Sequence, residues 1–342
     1  MNEDQVFVRV GFEEMKSVFL QVLLRNGFSQ ERALKCAEIF AVNSLEGVIS
    51  HGVNRFPRFI NNVKDGFIIP SNDPVLINRS GSLEQWDGQL GPGPLNAIFA
   101  TDRVVEIAGK TGIGLVALSN TNHWMRAGYY GWKTAAMGFF LIAWTNTEAN
   151  MPAWGASDAR LGNNPMVFAI PDKDRAVVLD FAMTQFSYGK MESYAMAGEK
   201  LPFAGGFDKN GELSNDPARI LETRRTLPIG YWKGAGLSLI LDLLAALLSG
   251  GRSVNEITRT GTEHALSQVF IAIDPKHLAN YETINNTISS ILSDYRQSVA
   301  AKGMSQVRYP GENIAKIREE NLQKGIPVLK DIWQKVMALN NY

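Results

Sequence analysis

Apolar residues recur at helical spacing along the first part of the chain. Phe19, Val22 and Leu23 mark one amphipathic face, and Ser29 is suited to cap the N-terminus of a second helix. The helical patterns lie at residues 11–48, 55–65 and 95–109. The sequence therefore predicts that the N-terminal part of the protein is helical.

Short runs rich in β-branched and aromatic residues follow in the middle of the chain, as is typical of strands. They lie at residues 113–118, 139–144, 166–170, 176–180 and 268–273. Helical patterns at residues 128–136 and 233–248 are interleaved with them, and residues 278–342 return to helical spacing. Residues 203–219 are rich in Gly, Asp and Asn, which predicts a long surface loop.

This order of elements predicts an α/β protein. Strands and helices alternate in the middle of the chain, and helices occupy both ends. An α/β core accompanied by a helical domain that both chain ends build would satisfy this order. We expect the helical domain at residues 8–70 and 277–342, and the α/β core at residues 71–276.

The charges and the single cysteine exclude several classes of protein. The chain has 34 Lys and Arg residues against 34 Asp and Glu residues, and this balance argues against a general binder of nucleic acid or anionic membranes. Cys36 is the only cysteine, so neither an intrachain disulfide nor a cysteine-based zinc site can form. Since no two histidines have the spacing of a metal site, we expect no metal.

One apolar run and the N-terminus bear on location. Residues 236–248 are almost wholly apolar, but they include Asp242 and are shorter than the roughly 20 residues that span a bilayer. We therefore predict a buried core helix and no contact with a membrane. The first residues lack the basic and apolar regions of a signal peptide, so we expect a cytoplasmic protein.

The segment from Ser50 to Arg58 is the strongest candidate for chemistry. It reads Ser-His-Gly-Val-Asn-Arg-Phe-Pro-Arg and places His51 four residues before Arg55. An imidazole passes protons near neutral pH, and a guanidinium holds a carboxylate by two parallel hydrogen bonds. The pair suits an organic acid whose carbonyl oxygen is protonated during the reaction.

Two further segments carry polar groups that could contact a ligand. His123 follows a predicted strand, where ligands bind in α/β sheets, but it could equally be a structural histidine that bonds a backbone carbonyl. Asn164 lies near the end of residues 154–165, a loop rich in hydrogen-bonding groups. This loop could line a polar substrate or the amide of a nicotinamide, or it could be an ordinary turn.

The sequence lacks the usual dinucleotide-binding loop. Residues 112–117 match the letters Gly-x-Gly-x-x-Ala, but they follow a predicted helix and enter a strand, the reverse of the Rossmann order. Asp180 ends a strand, where it could accept ribose hydroxyls or cap the following helix. Lys233 stands near a helix start, which is unfavourable unless an anion binds there. It marks either a phosphate site or a solvated lysine.

Taken together, these segments resemble the malate/L-lactate dehydrogenase family of NAD(P)-dependent oxidoreductases, over residues 10–338. The resemblance rests on residues 50–59, 122–126, 154–165 and 230–234. It implies a nicotinamide-binding α/β core with a mixed sheet that is unrelated to the Rossmann fold. It also implies a homodimer with the cofactor near the subunit boundary.

The resemblance further implies roles for individual residues. His51 matches the family's proton donor. Cofactor contacts carry over to Ala176, Val177, Val178, Leu179, Asp180, Phe181 and Ala182, to Trp232 and Lys233, and to Gly311, Glu312 and Asn313. We assign Arg55 to the substrate carboxylate, His123 to substrate hydroxyls or the oxyanion, and Asn164 to the polar substrate.

The resemblance implies hydride transfer from NADH to a ketone of an open-chain sugar acid, at the carbonyl next to the carboxylate. NADPH is the alternative cofactor, which Asp180 would repel if it lies near the ribose. Another 2-oxo or 2-hydroxy acid, such as malate, lactate or ureidoglycolate, and a cyclic imine stay open as substrates. A non-catalytic sugar-acid binding protein is the alternative from another class.

Overall fold

The structure, a computed structural model, describes residues 7–172 and 176–340. Its helices are α1 (Phe12–Arg25), α2 (Gln30–Leu45), α3 (Phe56–Lys64), α4 (Gly93–Thr111), α5 (Ala127–Ala136), α6 (Tyr188–Ala197), α7 (Pro217–Thr223), α8 (Trp232–Ser249), α9 (Val254–Arg259), α10 (Ile284–Arg296), α11 (Ile314–Lys324) and α12 (Lys330–Leu339). Its strands are β1 (Phe7–Val10), β2 (Val75–Ser80), β3 (Leu83–Asp87), β4 (Ile113–Thr121), β5 (Phe140–Thr145), β6 (Met151–Pro152), β7 (Ala159–Leu161), β8 (Met166–Ile170), β9 (Val177–Phe181), β10 (Gly206–Phe207), β11 (Leu213–Ser214), β12 (Leu266–Ile273) and β13 (Ile326–Leu329). This order confirms an α/β protein.

A seven-stranded mixed sheet with the order β2-β3-β4-β12-β5-β8-β9 forms the centre of the molecule. β3 and β4 run parallel, whereas the other neighbouring strands are antiparallel. Successive side chains of a strand face opposite sides. Val116 and Leu118 of β4 accordingly pack with α4 and α5, and Ala117 packs with α8 on the other face. A sheet of this order differs from the parallel sheet of the Rossmann fold.

The two ends of the described chain share one hydrophobic core. β1 pairs antiparallel with β13, so that Phe7 lies opposite Leu329. Phe19 of α1 and Phe56 of α3 stack with 4.2 Å between their ring centroids. Val336 of α12 is fully buried in the same cluster. The helical layer against the sheet is therefore assembled from segments that are far apart in sequence.

The segment at residues 203–219 is more ordered than the predicted surface loop. It contains the β10–β11 hairpin and the start of α7. The side chain of Asp216 caps α7 by accepting from two backbone N–H groups, and Pro217 follows in the first turn. A small core that includes Met191, Leu201 and Ile220 packs this segment against α6. The local cap was present in the sequence, but the high content of glycine and polar residues obscured it.

α8 is not the buried core helix that the sequence predicts. Six of its large aliphatic side chains are exposed, at Leu237, Leu239, Ile240, Leu243, Leu244 and Leu247. Its inner face packs on the sheet, and the half-buried Asp242 accepts from Asn146 Nδ2 at 3.0 Å and from Val254 N at 2.9 Å. By length and composition the helix could cross a membrane, with 18 residues of mean hydropathy 1.4. An apolar run in the sequence does not show how much of the helix is covered, and in the structure the sheet covers only one face of α8.

Candidate active site

A large cavity lies between the helical layer and the outer edge of the central sheet. Its volume is about 1050 Å³, at the upper end of the roughly 300–1,000 Å³ typical of ligand sites. Its wall includes His51, Arg55 and His123, which the sequence singles out. Of the predicted cofactor residues, the wall includes Val178, Leu179, Asp180, Phe181, Ala182 and Gly311.

His51 ends a 3₁₀ turn, Ile49–His51, that connects α2 to α3. Its carbonyl oxygen accepts from Asn43 Nδ2 at 3.1 Å. The next residue is Gly52, where an added Cβ would lie 2.1 Å from a side-chain atom of α2. Ser50 Oγ lies 3.1 Å from His51 Nδ1, which leaves Nε2 of the imidazole for a ligand.

His123 lies two residues after the end of β4. Nδ2 of its neighbour Asn122 anchors this corner by donating to three backbone carbonyls. Nδ1 of His123 accepts from Met125 N at 2.9 Å. Because an accepting nitrogen carries no hydrogen in a neutral imidazole, the ring hydrogen is on Nε2. A backbone N–H therefore fixes the tautomer of His123 as an Nε2–H donor.

The rings of His51 and His123 are stacked, with 5.6 Å between their centroids and 22° between their planes. Burial, together with Arg55 and Arg126 nearby, lowers the pKa of His51 from 6.5 to about 4. Burial and the nearby Arg55 also lower the pKa of His123 well below its usual value. Both imidazoles are consequently neutral near pH 7 when the cavity holds no anion.

Arg55 stands at the start of α3 on the same wall of the cavity. Its Nη2 lies 3.4 Å from Oε1 of Glu263, whose side chain is only 7% exposed. One turn further along α3, Arg58 Nη2 lies 3.9 Å from Glu148 Oε1. A single contact from Glu263 orients the Arg55 guanidinium and leaves its other N–H groups for a ligand.

β9 is the last strand of the sheet and borders the cavity with its free edge. At this edge Val178 N donates to Pro310 O at 3.3 Å. Because the bonding direction of a strand alternates along the backbone, the N–H and C=O of Asp180 face the same edge. Gly311, with φ of 88°, lies so close that an added Cβ would be 3.3 Å from Val178 N. Gly311 thus packs against Trp132 and β9, and the outward-facing backbone groups of Asp180 fit a flat ligand that carries an amide.

The carboxylate of Asp180 belongs to an ion network at the cavity wall. Its Oδ2 accepts from Gly128 N at 2.7 Å and lies 3.9 Å from Arg126 Nε. Arg126 pairs with Glu46, which also bonds Arg318 Nη1 at 3.0 Å. Burial raises the pKa of Asp180, while Arg126 and the Gly128 N–H oppose that rise. Asp180 thus binds the first turn of α5, not the helix that follows it in sequence.

Asn164, Trp232 and Lys233 do not line this cavity. Asn164 is fully buried, and its Nδ2 donates to Ser238 O at 2.9 Å while its Oδ1 accepts from Thr147 N at 3.2 Å. Its neighbour Asn163 lines the cavity instead. Trp232, 64% exposed, and the exposed Lys233 begin α8 at the protein surface.

Four more predicted cofactor residues also lie outside the cavity wall. Ala176 precedes β9 and Val177 begins it, and both residues are half-buried. Glu312 Oε1 accepts from Arg296 Nη2 at 2.7 Å, and Asn313 stands at the N-terminus of α11. Within residues 7–172 and 176–340, no cluster of His, Cys, Asp and Glu side chains could hold a metal ion.

Several charged residues of the wall were not recognised in the sequence. They are Glu148, Glu192, Arg224, Glu263 and Arg308. They come from loops and helices that only the folded chain brings together, and no local motif marks them. Arg126 also lines the wall, and the sequence contains a signal for it. It follows His123 by three residues in a segment dense with polar and aromatic side chains.

The sequence model of the malate/L-lactate dehydrogenase family matches residues 10–337. The chain therefore belongs to this family of oxidoreductases, which are generally NAD-dependent dehydrogenases. The family membership that the resemblance implies is confirmed.

Individual relatives cover nearly the whole chain. The 2,3-diketo-L-gulonate reductase of Citrobacter koseri is 45% identical over 333 residues, which is 97% of this chain and 100% of that enzyme. The enzyme of the same name from Salmonella newport is 44% identical with the same coverage. The solved structure of sulfolactate dehydrogenase from Methanocaldococcus jannaschii superposes with a TM-score of 0.89, at 28% identity, covering 98% of this chain and 97% of that one.

Proposed function

We propose that this protein reduces 2,3-diketo-L-gulonate to 3-dehydro-L-gulonate with NADH in the cytoplasm. The observation that carries the proposal is the stacked pair of His51 and His123, which lines one cavity with Arg55. Relatives at 44% and 45% identity are named 2,3-diketo-L-gulonate reductase, and we take the substrate from them.

The residues of the cavity divide the work on the ketone. A bound reduced nicotinamide supplies the hydride. His51 protonates the ketone oxygen from Nε2, since Nδ1 faces Ser50. His123 donates from Nε2 to the same oxygen or to an adjacent hydroxyl, because Met125 N occupies its Nδ1. Arg55 holds the carboxylate next to the ketone by the N–H groups that Glu263 leaves free.

His51 takes up a proton from solvent when the substrate binds. Burial, with Arg55 and Arg126 nearby, keeps the imidazole neutral in the free site, where its pKa is about 4. A substrate carboxylate on Arg55 offsets that positive charge and raises the pKa of His51. In the oxidative direction, the neutral imidazole is already the base that the alcohol requires.

The free edge of β9 and Gly311 support the position of the nicotinamide cofactor. The backbone groups of Asp180 at that edge suit an amide, and Gly311 lets the segment after Pro310 pack closely on β9 and Trp132 beside it. We choose NADH over NADPH because members of the family are generally NAD-dependent. Asp180 gives no charge argument, since its carboxylate is paired with Gly128 N and Arg126 and its backbone is assigned to the amide.

We further propose that the protein is a homodimer and that α8 forms the interface between its subunits. The exposed leucines and isoleucine of α8 make an apolar face of the kind that marks protein interfaces. Trp232 and Lys233 begin this helix and lie outside the cavity of their own subunit. Their predicted cofactor contact is therefore assigned to the cavity of the partner subunit.

An assay of the purified protein tests the proposed reaction. NADH and NADPH are each combined with 2,3-diketo-L-gulonate, pyruvate, oxaloacetate and a cyclic imine acid, and the nicotinamide absorbance is followed. We expect the highest kcat/KM with NADH and the sugar acid, and a loss of roughly 10²–10⁴-fold in His51→Ala. Binding of the sugar acid without oxidation of either cofactor on any acid would instead favour a non-catalytic binding protein.

A further inference from the structure

Two guanidinium groups of the cavity wall face carboxylates, whereas Arg224 of the same wall forms no ion pair with any residue that the structure describes. Arg55 faces Glu263 at 3.4 Å, and Arg58 faces Glu148 at 3.9 Å. The side chains of Glu263 and Glu148 are 7% and 32% exposed. Glu192 adds a further carboxylate to the same wall. A ligand in this part of the cavity meets negative as well as positive charge.

In both pairs the carboxylate oxygens can accept further hydrogen bonds. Arg55 Nη2 donates one long hydrogen bond of 3.4 Å to Oε1 of Glu263, and the 3.9 Å between Arg58 Nη2 and Glu148 Oε1 is too long for one. An ionised carboxylate can accept about four hydrogen bonds through its two oxygens. Partial burial, with Glu263 nearby, raises the pKa of Glu148. Oxygens in this position are suited to accept from the hydroxyl groups of a ligand.

A second acidic group on the substrate would bind unfavourably in this part of the cavity. Its charge would lie beside Glu148 and Glu263, and like charges repel strongly where solvent is excluded. One carboxylate can still bind, because Arg55 keeps N–H groups that Glu263 does not contact. Sulfolactate, the compound in the name of a relative with the same fold, carries two acidic groups. Selection between such compounds and sugar acids therefore depends on side chains and not on the fold.

We propose that Glu148 and Glu263 determine substrate specificity, by accepting hydrogen bonds from a polyhydroxylated chain and by repelling a second acidic group. The site then selects 2-oxo acids that carry one carboxylate and several hydroxyls over diacids. This inference rests on the proposed function, since it names the substrate class of the same site.

The test compares 2,3-diketo-L-gulonate with oxaloacetate as substrates for NADH oxidation. Glu148→Gln keeps the size of the side chain but removes its charge. We expect the ratio of kcat/KM for the sugar acid to that for oxaloacetate to fall about tenfold or more, roughly 1.4 kcal/mol. Glu263→Gln should shift the ratio in the same direction. Glu222→Gln, at an exposed position outside the cavity, is the matched control and should leave the ratio within about twofold.

An unchanged ratio in both glutamine variants, with thermal unfolding like that of the parent, would overturn the inference. Calorimetric binding of L-gulonate and L-malate, neither of which is reduced, separates this result from a failure of the proposed function. Suppose that none of the tested acids supports NADH oxidation by the parent. If the parent nevertheless binds gulonate more tightly than malate, and Glu148→Gln reverses that preference, the inference stands and the proposed reaction does not. A parent that binds both acids equally or neither overturns the inference.

Discussion

Gly189 approaches Ser50 so closely that a Cβ on Gly189 would lie 2.7 Å from the Cβ of Ser50. This contact joins α6 to the turn that carries His51. The clashing atom is attached directly to the backbone, so it cannot swing aside like the end of a long side chain. The position of α6 is therefore coupled to the position of the proposed proton donor.

Gly189→Ala should lower turnover although alanine favours helices. Helix propensity alone would stabilise α6 by up to about 1 kcal/mol. Displacement of Ser50 and His51 should nevertheless reduce kcat by roughly 10- to 100-fold. The matched control is Gly109→Ala in α4, where the new Cβ would meet a ring atom of Phe139 at an ordinary 3.7 Å. Steady-state kinetics and thermal unfolding of both variants decide the matter, and a fully active Gly189→Ala would contradict the coupling.

The two hydrogen-bonding roles of His123 can be separated by two substitutions. His123→Asn retains an acceptor near Met125 N but removes the donor at the position of Nε2. His123→Gln reaches the position of Nε2 but loses the bond to Met125. If the donor stabilises the oxyanion, the asparagine variant should lose about 10²–10³-fold in kcat, and the glutamine variant should recover part of it. Equal losses in the two variants would mean that both act by disturbing the backbone corner after β4, and that the donor at Nε2 has no separate role in catalysis.

The lowered pKa of His51 should make the protein less stable in mild acid. The unfolded chain takes up a proton on this imidazole near pH 6.5, whereas the folded protein resists it until about pH 4. Stability that is fully present above pH 6.5 is therefore lost as the pH falls toward 4, by up to about 3 kcal/mol.

His51→Gln should remove this loss. Urea unfolding at pH 7.0 and 4.5 should give a smaller drop in the free energy of unfolding for the variant than for the parent. His277→Gln is the control, because the His277 side chain is 43% exposed. Identical drops for His51→Gln and the parent would show that the imidazole is readily protonated in the folded protein.

Leu247→Glu should break the proposed dimer. Leu247 is 73% exposed on the outer face of α8, and a buried carboxylate at an apolar interface is costly. Light scattering at micromolar concentration should give twice the monomer mass for the parent and the monomer mass for the variant. Leu322→Glu changes a leucine that is 55% exposed on α11 and should stay dimeric. A parent that is monomeric and active would exclude a cofactor site shared between subunits.

Lys233→Ala tests the cofactor contact at the start of α8. A lysine there is opposed by the helix dipole, and a bound phosphate would relieve that repulsion. NADH should bind about tenfold more weakly to the variant, roughly 1.4 kcal/mol, as measured by NADH fluorescence. Lys209→Ala, at another exposed lysine, should bind NADH like the parent. Unchanged affinity in Lys233→Ala would remove this lysine from the cofactor site.

Periodic and capped elements could be predicted well from the sequence. The strand at residues 166–170 and the helix at residues 128–136 are confirmed to within a residue, since a clear pattern and turn residues bound each. β2 was not predicted because all of its residues are exposed, so it lacks the alternation that a half-buried strand shows. The division into domains at residues 70 and 277 remains a prediction.

The site could be predicted only where one segment carries its own chemistry. His51 and Arg55 share a short segment, and the structure brings both into the cavity with His123. Glu263 and Glu148 had no such signal, because they meet the arginines only through the tertiary fold. Asn164 was chosen over its neighbour Asn163, yet two adjacent side chains of an irregular loop can point in opposite directions. Composition does not reveal which of them faces the ligand.

The pairing of β1 with β13 sets a condition on how the protein emerges from the ribosome. The partner of Phe7 is Leu329, so β1 has no strand to pair with until residues 326–329 have been synthesised. Until then, the apolar faces of α1 and α2 lack Ile326, Val328 and Val336, which complete their core. Contacts of such long sequence separation form slowly, and unfinished cores invite aggregation. Nascent chains of this protein should therefore depend on chaperones until residues 326–336 have emerged from the ribosome.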